Sequence, residues 1–176
     1  MSTQIDLYIN GDIRMKKYLV IIVCILLVIA SAAVIGTVIQ ERNKVSNQIC
    51  DVIERKCADQ NECQINMAEI TNFSWDKMLL YQVGMTRSQV SEILDVEFSY
   101  ELDMESGMVF VKDNKVVYHE SFFHDGETRV RLWIRVGDFD ERYFLCPADN
   151  ANLSGSKEIR EDGKTYYSIG PFEKNP

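Results

Sequence analysis

GMTRSQV, residues 84–90, carries the clearest signals for the start of a helix. Thr86 fits the N-cap position and Gln89 follows three residues later, which is the spacing of a capping box. Met85 and Val90 occupy the two positions of a hydrophobic staple, which fixes how the chain enters the helix. Apolar residues then recur at helical spacing: Val90, Ile93 and Leu94. The stretch therefore predicts a short helix with one apolar side packed against a core.

The segments on both sides of this helix have the patterns of β-strands. They are rich in β-branched and aromatic residues or alternate between apolar and polar side chains. The predicted strands and extended segments are 64–71, 78–83, 108–112, 115–123, 129–136, 142–146, 156–160 and 164–169. Asp113-Asn114 and Asp162-Gly163 suit tight hairpin turns, because these residues tolerate positive φ. This part of the chain predicts an α+β fold in which a helix packs on an antiparallel sheet.

The predicted strand at residues 129–136 shows the cleanest alternation in the chain. Its apolar side chains point to one face of the strand. Four other side chains point to the opposite face: Arg129, Arg131, Trp133 and Arg135. Arginine and tryptophan are favoured at protein interfaces, so this face is the candidate binding surface, for an acidic protein or a cell-surface polymer. The alternative is that Glu120, Asp138 or Glu141 on neighbouring strands neutralises the arginines.

An uncharged apolar stretch precedes this domain, from Tyr18 to Ile39. At 1.5 Å per residue a helix of this length spans roughly 33 Å, which is enough to cross a bilayer. Arg14, Lys16 and Lys17 on its N-terminal side predict a cytoplasmic N-terminus and an extracytoplasmic C-terminal domain. In the alternative, the stretch is a signal peptide cleaved near Ala32 and the domain is secreted. Both alternatives place the domain outside the cytoplasm.

The full predicted organisation combines this segment with the α+β domain. A cytoplasmic N-terminus at residues 1–17 precedes a transmembrane signal-anchor helix at 18–39. A juxtamembrane helical stalk follows at 40–62, where apolar residues recur at helical spacing, and the extracytoplasmic domain covers 63–176. The stalk is also a possible site of homodimer formation.

Four cysteines follow the apolar stretch, and disulfides persist in an extracytoplasmic compartment: Cys50, Cys57, Cys63 and Cys146. On one helix Cys50 and Cys57 are separated by about 10.5 Å of rise, beyond the roughly 7 Å that a bridge allows between Cα atoms. Two connectivities remain. Cys50 pairs with Cys63 and Cys57 with Cys146, or Cys57 pairs with Cys63 and Cys50 with Cys146.

Composition and the lack of recognised motifs reduce the number of plausible functions. The 176 residues carry a net charge of −8, so no basic surface is available for nucleic acid. No cofactor or metal motif and no convergent catalytic set is recognised, which favours a non-enzymatic, membrane-tethered binding module. One alternative is a hydrolase that uses Cys146 or a site containing His119 or His124. Another is the ectodomain of a signalling or assembly complex.

GMTRSQVSEIL, residues 84–94, resembles the helix-opening motif shared by the small outer-membrane-assembly lipoproteins and the β-lactamase-inhibitor-like domains. This resemblance implies a helical segment against an antiparallel sheet. Asp95 stands where those families usually carry glycine and no lipobox is present, so neither assembly nor inhibitory activity is carried over. The stretches 72–78 and 108–118 are similar to uncharacterised exported proteins of Gram-positive bacteria, which implies export.

Overall fold

The computed structural model describes residues 22, 25–31, 44–57, 62–102, 104–122, 132–136 and 142–172. The chain divides into two compact units, Met1–Asn43 and Lys44–Pro176. In the first unit residues 25–31 are helical, and the apolar side chains from Ile25 to Ile29 are more than half exposed. Among the described residues, no helix is both long and apolar enough to cross a membrane.

The second unit contains three helices and eight strands within the described ranges. In chain order they are α1 (Val45–Lys56), β1 (Glu62–Asn66), α2 (Met67–Ile70), β2 (Lys77–Tyr81), α3 (Arg87–Leu94), β3 (Ser106–Lys112), β4 (Lys115–Phe122), β5 (Leu132–Ile134), β6 (Tyr143–Pro147), β7 (Asn152–Ile159) and β8 (Thr165–Pro171). A short 3-10 turn, Ala148–Asn150, joins β6 to β7.

The strands form two four-stranded sheets, which corrects the predicted fold class. The antiparallel sheet has the order β4-β3-β2-β6. The mixed sheet has the order β1-β7-β8-β5, in which only β5 and β8 run parallel. The prediction of a transmembrane helix followed by a helix on one antiparallel sheet is therefore wrong. The pairing of strands distant in sequence, such as β1 with β7, has no local signature in the chain.

The two central strands of the antiparallel sheet, β2 and β3, are buried on both faces. Alternate residues of β2 and β3 face the mixed sheet and share its core: Met78, Leu80, Met108 and Phe110. The residues between them face the other way and pack under α3: Leu79, Tyr81, Val109 and Val111. Strands covered on both sides need uninterrupted apolar sequence, which the segments MLLY and MVFV provide.

Helix α3 confirms the capping box predicted from the sequence. The Thr86 hydroxyl accepts from the Gln89 backbone N–H at 3.3 Å, and the Gln89 side chain accepts from the Thr86 N–H at 2.9 Å. The helix ends at Asp95, whose φ of 50° is left-handed, and Lys77 donates to the carbonyl of Leu94. Val90 and Leu94 are fully buried against the antiparallel sheet.

Helix α1 is fixed at both ends to strands of different sheets. At its N-terminus the buried carboxylate of Glu120, on β4, accepts from the backbone N–H and the hydroxyl of Ser46. Tyr118 donates to the same carboxylate at 2.6 Å. At its C-terminus a disulfide joins Cys57 to Cys63 on β1. A carboxylate at a helix N-terminus satisfies otherwise unpaired N–H groups, so Glu120 acts as a cap supplied by another element.

Helix α1 also lies very close to the mixed sheet. A Cβ atom added at Gly155 on β7 would lie 2.9 Å from Ile53. Ile49 and Ile53 have no exposed surface. The segment predicted as a stalk thus contributes its apolar stripe to the core of the second unit.

A candidate binding surface on the mixed sheet

The mixed sheet has one buried face and one outer face. In β5, Leu132 and Ile134 are buried whereas Trp133 is exposed, and Arg135 just beyond the strand is exposed as well. Trp133 and Arg135 from the predicted binding surface therefore share the outer face. Arg129 and Arg131, the other two candidates, lie outside the described residues.

The strand register places one row of side chains across this outer face. Glu62 on β1 is opposite Ser156 on β7, Ser156 is opposite Ser168 on β8, and Ser168 is opposite Trp133 on β5. The hydroxyls of Ser156 and Ser168 are 2.7 Å apart. The two central strands thus present small polar side chains between larger ones on the edge strands.

Arg135 reaches across Gly170 and Ser154, one row further along the strands, and is neutralised within the protein. Its guanidinium donates to Glu62 at 3.2 Å and to Ser154 at 3.3 Å, and Ser154 also donates to Glu62. The bonds from Ser154 and then Arg135 lower the pKa of Glu62. Gly170 permits this path, because a Cβ there would lie 2.6 Å from the Arg135 carbonyl oxygen.

The partner of Arg135 is therefore not one of the carboxylates proposed from the sequence. Glu120 is buried at the N-terminus of α1, where Ser46 and Tyr118 occupy its oxygens. Asp138 and Glu141 lie outside the described residues. The partner of Arg135 is Glu62, which lies on β1, a strand that is distant from β5 in sequence.

Arg160 is a cation on this face that, like Lys164, has only a 3.9 Å contact to a carboxylate among the described residues. Its guanidinium carbon lies 4.2 Å from the ring centroid of Tyr166 and 5.6 Å from that of Trp133. Its ion-pair contact within the described ranges is to Glu158, at 3.9 Å, and both side chains are more than 40% exposed. Cation–π attraction to the rings restricts the guanidinium, while the side chain remains 46% exposed.

Sequence reasoning missed Arg160 and Tyr166, although a signal for both was present. The hairpin around Asp162-Gly163 was predicted, and residues two apart in a strand share a face. Ser156, Glu158 and Arg160 therefore had to lie together, opposite Tyr166 and Ser168. What the hairpin alone did not reveal is that β5 lies beside β8, which brings Trp133 to the same face.

The cysteines form one of the predicted bridges. Cys57 is bonded to Cys63, with Cα atoms 5.3 Å apart, whereas Cys50 and Cys146 are free thiols. Burial raises the pKa of Cys50 to about 12 and that of Cys146 to about 11. The Cys146 thiol donates to the carbonyl of Asn150 at 3.2 Å. At neutral pH both thiols are therefore protonated and weakly nucleophilic.

His119 does not supply a base for Cys146, because the two side chains lie on opposite faces of the antiparallel sheet. Cys146 belongs to the core shared with the mixed sheet, whereas His119 is opposite Val109, which faces α3. The Nε2 atom of His119 is 3.0 Å from the Tyr81 hydroxyl. The imidazole also packs against Phe98 and Tyr100, and burial lowers its pKa to about 4. His124 lies outside the described residues.

Comparisons with protein families, with curated proteins and with solved structures find no match for this chain. The outer face of the mixed sheet therefore has to be interpreted from its own chemistry.

Proposed function

We propose that residues 44–172 form a non-enzymatic binding module outside the cytoplasm, which holds an anionic partner on the outer face of the mixed sheet. The observation that carries this proposal is the guanidinium of Arg160, whose carbon lies 4.2 Å from the ring centroid of Tyr166 and which has only a 3.9 Å contact to Glu158. A guanidinium held over an aromatic ring keeps its N–H groups available for bidentate pairing with a carboxylate or similar anion.

The contrast with Arg135 supports this role for Arg160. Arg135 already donates to a carboxylate and a hydroxyl of its own chain, so an incoming anion would have to displace Glu62. Arg160 makes no comparable bonds among the described residues, and its side chain is 46% exposed. Its aromatic contacts restrict the side chain before any ligand arrives, which reduces the entropy lost on binding.

Two features support an extracytoplasmic location. The Cys57–Cys63 bridge belongs to a type of bond that persists mainly in oxidising compartments. The uncharged stretch from Tyr18 to Ile39 follows Lys16 and Lys17, a pattern typical of export signals. The raised pKa values of Cys50 and Cys146 favour a binding role over thiol catalysis.

Titration of the full chain with charged polymers tests the binding proposal. We expect polyanions to bind, and Arg160→Gln to reduce polyanion affinity by about tenfold or more. Arg87→Gln is the matched control, because it removes the same charge from the exposed start of α3, away from the mixed sheet. Equal losses in the two variants would show that net charge, and not this face, determines binding.

A reporter fused after Pro176 tests the location separately. We expect an enzyme that is active only after disulfide formation outside the cytoplasm to be active in this fusion. A fluorescent protein that matures only in the cytoplasm should be dark in the matching fusion. The reverse pair of results would contradict the location without affecting the binding measurement.

A further inference from the structure

Building on the proposed function, we infer that the ligand is a carboxylated polysaccharide. In this arrangement one sugar ring lies against Trp133, a carboxylate pairs with Arg160, and sugar hydroxyls bond to Ser156 and Ser168. The three kinds of group lie on the same side of three adjacent strands, β7, β8 and β5.

The serine pair favours a ligand rich in hydroxyl groups. A bond between Ser156 and Ser168 uses one of their two O–H donors and leaves the other donor, together with acceptor lone pairs. Both side chains are half-buried, so these groups line a shallow floor. A carboxylate alone accepts but does not donate, whereas a sugar hydroxyl does both and matches a floor that offers donors and acceptors.

The position of the face within the sheet argues against an extended acidic peptide. Sheets bind such peptides along an edge, where unpaired backbone groups are available. β7 and β8 are interior strands whose backbone groups pair with β1, with β5 and with each other. A ligand on this face meets side chains only, so it must bring its own hydrogen-bonding groups and an apolar surface for the indole.

The local charge favours a singly charged anion. Glu158 lies 3.9 Å from Arg160, and Asp162 accepts a hydrogen bond from Tyr166 at 3.2 Å. Lys164 lies 3.9 Å from Asp162, so the two carboxylates offset the two cations and the local charge is close to zero. A dianionic phosphate would therefore be repelled by the carboxylates at short range more strongly than a single carboxylate would. In a polysaccharide with one carboxylate on each sugar, the negative charges are spaced along the chain. Only one of them is then close to Arg160.

The size of the face fits a chain better than a small anion. Neighbouring strands lie about 4.8 Å apart, so the row from Ser156 to Trp133 spans about 10 Å. Arg160 is beyond this row, at the start of the turn that joins β7 to β8. A ligand that contacts all of these groups has to extend along the face.

Calorimetric titration of the full chain with four probes tests this inference. The probes are an oligogalacturonate, the same oligomer as its methyl ester, polyglutamate, and inorganic polyphosphate. We expect the oligogalacturonate to bind most tightly and the methyl ester to lose about tenfold or more in affinity. The Ser156→Ala and Ser168→Ala double variant should lose roughly threefold to tenfold toward the oligogalacturonate.

Further variants assign the losses to particular contacts. Arg160→Lys keeps the charge but loses the planar fork, so it should bind the oligogalacturonate more weakly than the unchanged protein does. Trp133→Leu should weaken binding of the oligogalacturonate more than binding of polyglutamate. Arg87→Gln should bind like the unchanged protein, and circular dichroism with thermal melting establishes that each variant is folded.

The outcomes separate this inference from the proposed function. If polyglutamate or polyphosphate binds as well as the oligogalacturonate in an Arg160-dependent manner, the anionic site stands and the sugar assignment is wrong. If the methyl ester binds as tightly as the free acid, the pairing of Arg160 with a ligand carboxylate is wrong. If none of the charged probes binds, both the sugar assignment and the anionic site are wrong.

Discussion

The two sheets of this domain differ in what covers them, and that difference separates stability from recognition. The central strands β2 and β3 of the antiparallel sheet are buried on both faces, between α3 and the core shared with the mixed sheet. Among the described residues, the mixed sheet has its apolar core on one face, and its other face carries serines, arginines and aromatic rings. Changes in the antiparallel sheet should therefore alter folding, whereas changes on the outer face of the mixed sheet should alter binding.

The largest effect is expected in the middle of the antiparallel sheet. Phe110 has no exposed surface and packs edge-on against Phe73 and Trp75. Phe110→Ala should lower the free energy of unfolding by about 3–5 kcal/mol, because it leaves a cavity that the surrounding side chains fill only in part. Urea denaturation measures this loss. Gln64→Ala, at an exposed position of the mixed sheet, should change it by no more than about 0.5 kcal/mol.

The bridge between α1 and β1 should have the next largest effect. Replacing both Cys57 and Cys63 by serine should destabilise the domain by about 2 kcal/mol, because the bridge closes a short loop in the unfolded chain. A reducing agent should destabilise the unchanged protein by a similar amount and leave the double variant unaffected. If the reducing agent also destabilises the variant, Cys50 and Cys146 are joined in solution.

A smaller, pH-dependent effect is expected on the α3 side of the antiparallel sheet. Burial lowers the pKa of His119 from 6.5 to about 4, so the unfolded chain binds this proton at higher pH than the folded one. Stability from this group is complete above pH 6.5 and falls as the pH decreases toward 4, by on the order of 1–2 kcal/mol at pH 5. Denaturation curves at pH 7.5 and 5 measure the loss.

The matched variant for this measurement is His119→Gln, which keeps an amide able to bond to Tyr81 but does not titrate. Its loss of stability between pH 7.5 and 5 should be smaller than that of the unchanged protein. An equal loss in both proteins would assign the pH dependence to other groups.

The smallest effect is expected on the outer face of the mixed sheet. Arg135 and Glu62 are about half exposed, so Arg135→Ala should lower the free energy of unfolding by less than about 1 kcal/mol. The same variant frees Glu62 beside the serine floor, which should weaken polyanion binding by electrostatic repulsion. A stability loss as large as that of Phe110→Ala would contradict the division of roles between the two sheets.

Local structure was predictable from the sequence where a few neighbouring residues determine it. The capping box at Thr86 and Gln89 is confirmed, and Asp113 and Asn114 both adopt positive φ in the turn between β3 and β4. Excluding a bond between Cys50 and Cys57 was also right, because helical rise alone keeps them apart. In each case the deciding interaction lies within one element or one turn.

Long-range pairing was not predictable, and it determines both the two-sheet fold and the candidate site. Nothing around Trp133 signals that β5 runs parallel to β8, yet this pairing brings Trp133 beside Arg160. The prediction that residues 64–71 are extended was wrong beyond Asn66. The Asn66 side chain instead accepts from the Ala68 N–H and caps α2, so the strand ends there.

Helix α1 is attached to β4 at one end through Glu120 and to β1 at the other through Cys57. At about 1.5 Å per residue its twelve residues give a rigid spacer of roughly 18 Å. The length of α1 therefore has to match the distance between its two points of attachment. Inserting a single residue into α1 would rotate its apolar stripe by about 100° and break one attachment or the other. Insertions or deletions in α1 should therefore be tolerated less well than changes in the length of any surface loop.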